Sequence, residues 1–197
     1  NFLNKYFLLT TCRISGTSSI FFERTVMDVL ENLTKEQLID YIRIMAKNMS
    51  ALDGVWFQSL EKKKGMDDAM WHDCDVWQRF TQAEARRIKK FLKLPEYPGL
   101  QGLSQALNFH FNSLLNHTET IINGNKLIYR IVDCHVQNAR SRKGMLYHPC
   151  LAAGFMEYKY FASTIDSRIN CEVISCFPEV KDPTCACAWE FTLKEDV

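Results

Sequence analysis

Apolar and polar positions divide the chain into a helical front and a strand-rich back. Leu38, Ile42, Met45 and Met49 recur at helical spacing, which predicts an amphipathic helix. Thr34 and Gln37 precede them at the spacing of a capping box, in which two side chains satisfy the free N–H groups of a first turn. A second helix is expected over 51–64, stopped by Gly65 and carrying three lysines in its last turn, where they complement the helix dipole. A third is expected from Asp67 and Asp68 to Leu94, with Met70, Cys74, Trp77, Thr81, Glu84, Ile88 and Phe91 along one face. Pro95 and Pro98-Gly99 then mark a linker.

Beyond Gly102 the period changes. Residues 107–115 alternate loosely and read as a strand. Residues 118–122 and 126–136 flank Asn123-Gly124-Asn125, residues that tolerate the positive φ of a hairpin turn. A short helix is expected over 136–143, ending at Gly144, and a longer one over 151–165. Two more strands are expected at 169–176 and 185–193. The expected fold is therefore α+β: a helical N-terminal part, then an antiparallel sheet of about four strands with helices on one face. One domain should cover 27–197, its helical part 27–94 and its sheet-containing part 102–197. Residues 1–26 lack periodicity, and Met27 opens the patterned region. They read as a leader, non-native or disordered.

Composition excludes some classes of function. The chain is 47% hydrophobic with a formal net charge of +1, so bulk charge does not drive it onto nucleic acid or an acidic membrane. No apolar run approaches the roughly 20 residues of a membrane span. The expected partner is a small molecule.

Six of the eight cysteines fall in the last third. A chain of this size does not need disulfides to fold, so reduced thiols and a cytoplasmic location are expected. Cys150 follows His148-Pro149 and precedes the 151–165 helix. A thiol at a helix N-terminus feels the positive dipole end, which favours thiolate. Nucleophile, metal ligand and buried structural thiol all remain open for it. Cys134, Cys150, Cys176 and Cys187 form a candidate four-thiolate set for zinc or an iron–sulfur cluster, although none of the pairs has CxxC spacing. Cys185 and Cys187 alternate with Trp189 and Phe191, which favours a core face. Arg140 and Arg168 are candidate carboxylate clamps, and Glu157 is a candidate acid/base or a structural partner for one of them. His72, Asp73 and Asp75 resemble a metal site, with Asp68, His72 and Asp75 spaced for one helix face, but a solvated acidic helix start is the first reading and a metal site the second. His135, beside Cys134, is expected to point away from it.

A family resemblance rests on Val136-Gln137-Asn138-Ala139-Arg140, Lys143-Gly144-Met145, Pro149-Cys150, Gly154, Glu157-Tyr158, Phe161-Ala162, Ile165-Asp166, Arg168-Ile169, Cys176 and Cys187-Ala188-Trp189-Glu190-Phe191. This order resembles a little-characterised family of cytosolic proteins from anaerobic bacteria and archaea, itself similar to the L-2-amino-thiazoline-4-carboxylic acid hydrolases. More distantly it resembles the four-vinyl-reductase-type ligand-binding domains. The resemblance covers roughly 33–193, with Ser167 standing where a proline is expected. It implies hydrolysis of a C–N bond in a small cyclic, carboxylated substrate. Cys150 would be nucleophile or metal ligand, Arg140 or Arg168 the clamp, and Glu157 the acid/base. A non-catalytic binding or thiol/metal redox-sensing module is the alternative, and a structural protein with buried thiols is the third reading.

Overall fold

The computed structural model of the protein describes residues 26–194. The expected leader, 1–26, lies outside the described residues but for Val26. The chain forms two units, Asn1–Leu38 and Ile39–Val197. The first holds α1 (Val26–Glu31) and the start of α2 (Lys35–Lys64). The capping box forms as expected: Thr34 N donates to Gln37 Oε1 at 2.9 Å and Gln37 N to Thr34 Oγ1 at 3.2 Å.

One helix, α2, replaces the two expected between Leu38 and Lys64. Gly54 is tolerated inside it at a cost of about 1 kcal/mol against alanine, too little to break a long helix. Gly65 ends it with φ 94°, a conformation that disfavours any side chain. Of the expected apolar stripe, Ile42, Met45 and Met49 are exposed, so amphipathic spacing there does not report a core face. In α3 (Met66–Phe91) the buried residues are Ala69, Asp73, Thr81, Glu84, Ala85 and Ile88. Thr81, Glu84 and Ile88 of the expected face are among them, whereas Phe91 at its end is 69% exposed.

The expected linker falls in the loop at 92–98, its last residue, Gly99, opening α4 (Gly99–Leu107), whereas the strand expected at 107–115 is instead a 3-10 turn at Phe111–Leu114. Leu100, Leu103, Ala106 and Leu107 are all buried, and their spacing is that of one helix face. His110 caps the turn: its Nδ1 accepts from Asn112 N at 3.2 Å. No division falls at Pro95. Asp166 Oδ2 accepts from Gly99 N at 2.9 Å, and Lys89 Nζ donates to the carbonyls of Glu96 and Ile165 at 2.7 and 2.5 Å.

The sheet matches expectation. β1 (His117–Asn123), β2 (Lys126–Asp133), β3 (Ile169–Cys176) and β4 (Cys187–Leu193) pair antiparallel in the order β1-β2-β4-β3. Gly124 turns the first hairpin with φ 59°. Cys185 lies in the loop before β4, its thiol 3.5 Å from Asp182 Oδ2. Leu127, Tyr129 and Ile131 of β2 meet Cys187, Trp189 and Phe191 of β4 in the core. Alternate positions carry exposed or half-buried ion pairs, Lys126–Glu190 and Arg130–Glu119. Over the core lies α6 (Leu151–Ile165), which packs on α3 and β3 and buries Gly154, Glu157, Tyr158, Phe161 and Ile165. No helix among the described residues is long and apolar enough to cross a membrane.

Candidate functional site

A cavity of about 520 Å³ opens between α2, α3, α5 (His135–Arg142), α6 and the start of β4. Cys134, Cys150, Cys176 and Cys187, taken from four separate elements or their ends, all line it, together with Glu157. Aromatic walls come from Phe57, Trp77, Phe111, Tyr158 and Trp189. A mostly apolar wall with a few polar groups is the usual form of a small-molecule site.

Cys150 is the residue before the first turn of α6. Its Sγ lies 3.2 Å from His148 Nδ1, and the far nitrogen of that ring, Nε2, lies 3.2 Å from Asp73 Oδ2. Asp73 is buried, so its carboxylate orients Nε2–H and leaves Nδ1 as an acceptor for the thiol proton, which it shares with His148 O, also 3.2 Å from Sγ. Gln137 fixes the turn that sets this geometry. Its Oε1 accepts from His148 N at 3.0 Å, and its Nε2 donates to His148 O at 2.8 Å and toward Cys150 Sγ at 3.1 Å. Phe57 packs edge-on against the imidazole with ring centroids 4.5 Å apart.

The expected thiolate at the helix start does not hold. Burial first, then the nearby Cys134, Cys187, Asp73 and Glu157, push the Cys150 thiol well above its ordinary value. Its Sγ makes contacts with His148 and Gln137 and does not cap the helix, so the dipole is outweighed by desolvation. Cys150 rests as a neutral thiol beside a base.

Glu157 is buried and lines the cavity. Burial raises its carboxyl well above the ordinary range; a hydrogen bond from Asn112 Nδ2 at 2.7 Å offsets this, and Glu84 adds to it. Behind it stands His110, wholly buried, with Nε2 3.3 Å from Glu157 Oε1 and 3.4 Å from Glu84 Oε2. Desolvation lowers His110 to about 3, so it is neutral and its Nε2–H faces both carboxyls. Burial raises Glu84 to about 7, against the lowering effect of its bond from Phe111 N at 2.7 Å. Asp53, also on the cavity wall, is raised to about 6 by burial and by Asp73, with His148 opposing.

The other sequence candidates separate. Arg140 reaches the cavity wall but is buried in a structural bridge: its Nη1 and Nη2 donate to Glu61 at 3.0 and 2.8 Å and its Nε to Leu146 O at 2.6 Å. Every edge of its guanidinium is engaged, so it is no carboxylate clamp. Arg168 is outside the cavity lining, paired with Asp166 at 2.9 Å and stacked over Tyr97. The acidic helix-start set is split by the turn of α3: Asp73 is buried toward His148, whereas His72 is exposed beside Trp71 and Asp75 pairs with Arg79. His135 lines the cavity, its Nδ1 2.7 Å from Asn116 Oδ1 and its Nε2 2.7 Å from Ser50 Oγ, so both ring nitrogens are occupied away from Cys134.

Cys134, Cys150, Cys176 and Cys187 share the cavity, but no group of three or more His, Cys, Asp or Glu among the described residues is arranged to hold a metal ion. The four thiols therefore do not fit zinc or an iron–sulfur cluster. Burial raises Cys134 to about 11, and the neighbouring Cys176 thiol first, then burial, hold Cys187 well above its ordinary value.

His148 was not among the sequence candidates, and Asp73 was one only as a member of the acidic helix-start set, not as a partner of the Cys150 turn. The signal for His148 was its place two residues before Cys150. For Asp73 it was its position four residues after Ala69 and four before Trp77, on the inner face of α3.

No curated protein matches the chain. A family model does match residues 31–193, that of a family of unknown function, DUF6125. Nothing in that match connects it to aminothiazoline hydrolases or to four-vinyl-reductase domains. With 31–193 spanning all of the cavity-lining residues, the chain belongs to the DUF6125 family.

Proposed function

We propose that the protein is a thiol-dependent hydrolase acting on a C–N bond of a small substrate held in this cavity. The observation that carries the reading is the line Cys150 Sγ, His148 Nδ1, His148 Nε2, Asp73 Oδ2, with both contacts at 3.2 Å. A nucleophile bonded to a base that is itself oriented by a third group is the arrangement nucleophilic catalysis requires. In the first step Cys150 Sγ attacks the electrophilic carbon and its proton passes to His148 Nδ1. The C–N bond breaks and the leaving nitrogen takes the proton held by Glu157. In the second step water attacks the carbon of the thioester-like intermediate, giving its proton to Glu157. The thiol leaves and recovers its own proton from His148, so both groups return to their starting state.

The seven described cysteines are free, which supports a reducing, cytoplasmic setting. The resemblance to aminothiazoline hydrolases supplies the first substrates to try, 2-amino-thiazoline carboxylates. Turnover should be followed on a panel of these, cyclic amides and activated linear amides, with mass spectrometry of quenched protein. The reading expects product formation and an adduct on Cys150, both lost in Cys150→Ala and reduced on the order of a hundredfold in His148→Gln. Saturable binding of panel members with neither turnover nor an adduct would favour the second reading, a non-catalytic binding module. The raised Cys150 thiol is the observation that speaks for that alternative.

A further inference from the structure

The cavity holds a second piece of thiol chemistry, independent of Cys150. Cys176 closes β3, Cys187 opens β4, and the two are direct partners in the antiparallel register. Opposed residues in such a ladder alternate between two kinds of pair. Cys176 N donates to Glu179 O at 3.2 Å, so it is not engaged with Cys187 O. The pair is thus of the non-hydrogen-bonded kind, in which Cα atoms lie about 4.5 Å apart and side chains stand closest. A disulfide needs a Cα separation of roughly 4.4–6.8 Å, so it can form here without strand movement. As direct partners in the ladder the two side chains stand on the same face of the sheet. Both residues are at least nine-tenths buried in the fold, yet both line the cavity. A small reagent in the cavity reaches them where bulk solvent does not.

We propose that Cys176 and Cys187 are a dithiol modification site, oxidised to a cross-strand disulfide by small organic disulfides that enter the cavity. In the first step one thiol attacks a sulfur of R–S–S–R, forming a mixed disulfide. One R–SH leaves, carrying the proton of the attacking thiol. In the second step the opposed thiol attacks the protein-side sulfur of that mixed disulfide. The protein disulfide forms, and the second R–SH leaves with the second proton. Two protein thiols are oxidised and one reagent disulfide is reduced, with no other reactant. Cys150 has no opposed cysteine in the ladder, so attack by its thiol stops at a mixed disulfide, which the Cys150→Ser variant removes. Cys185 does not take part, because it lies in the loop outside the cavity lining.

The test uses the full chain and its Cys150→Ser variant, each treated with 2-hydroxyethyl disulfide and then blocked with a thiol alkylator. Intact mass of the Cys150→Ser variant should show loss of the two thiol hydrogens with no hydroxyethylthio group retained on Cys176 or Cys187. Cleavage after Lys181 separates Cys176 from Cys187, and fragmentation of the linked peptides should place the bond between those two residues and not at Cys171 or Cys185. Cys176→Ser and Cys187→Ser should each abolish the cross-link and leave a mixed disulfide on the remaining thiol. Stable mixed disulfides on Cys176 or Cys187 in the otherwise unaltered protein would overturn the proposal. So would a link through any other cysteine, or no reaction under conditions that oxidise the urea-unfolded chain.

Discussion

At the scale of single residues, the cavity and the buried carboxyl behind it keep their protons. Cys150, Cys134, Cys187, Glu157 and Glu84 are all pushed toward their neutral forms, with burial the largest cause for each but Cys187. A neutral nucleophile and a neutral acid need a base between substrate and solvent, and His148 is the group in contact with the thiol. Glu84 gives a thermodynamic test. Its folded value of about 7 lies above its ordinary 4.5, so the native state binds the extra proton between those limits. The stability this brings is fully present below about pH 4.5 and is lost as pH rises through 7. Glu84→Gln mimics the protonated form. Chemical denaturation at pH 5 and pH 8 should show the variant gaining on the wild type at the higher pH, by on the order of 3 kcal/mol. His110 acts in the opposite sense, losing stability as pH falls from 6.5 toward 3, and it is common to both proteins.

At the scale of elements, the approach of α6 to β4 sets the width of the cavity. Gly154 faces the Trp189 ring, where an added Cβ would stand 2.9 Å from its Cζ2 and 3.0 Å from its Cη2. Gly154→Ala gains helix propensity of about 1 kcal/mol but forces apart two buried surfaces at a cost of about 1–3 kcal/mol. Thermal unfolding should therefore show a lowered Tm, and Cys150 should label at an altered rate because its helix has moved. Arg140 ties α5 to α2. Arg140→Lys keeps the charge but cannot serve both Glu61 oxygens and Leu146 O from one ammonium. It should lower stability by about 1–3 kcal/mol, read by urea denaturation, while a carboxylate clamp would instead show its loss as weaker substrate binding with stability intact.

At the scale of the whole molecule, most of the sheet half was legible and the helical half only in outline. The Asn-Gly-Asn turn, the strand at 169–176 and the helix at 151–165 carry local signals that the tertiary structure does not override. Residues 99–115 do not: Pro98-Gly99 and a loose alternation concealed α4, whose helix is held by burial against the core. The stripe of α2 misled because spacing shows a face, not what covers it. The thiols of the site were legible as a set of late cysteines, and Glu157 with them. The base and its orienting carboxylate were not, since their meeting depends on α3 crossing the turn before α6, a contact between residues 75 apart in sequence. That contact is the central claim, and the rate of Cys150 alkylation by iodoacetamide tests it most directly. Measured site by site at neutral pH, Cys150 should label faster than Cys134, Cys176 and Cys187, and slow on the order of tenfold in both His148→Gln and Asp73→Asn. Labelling of Cys150 no faster than Cys134, and unchanged in both variants, would contradict the account.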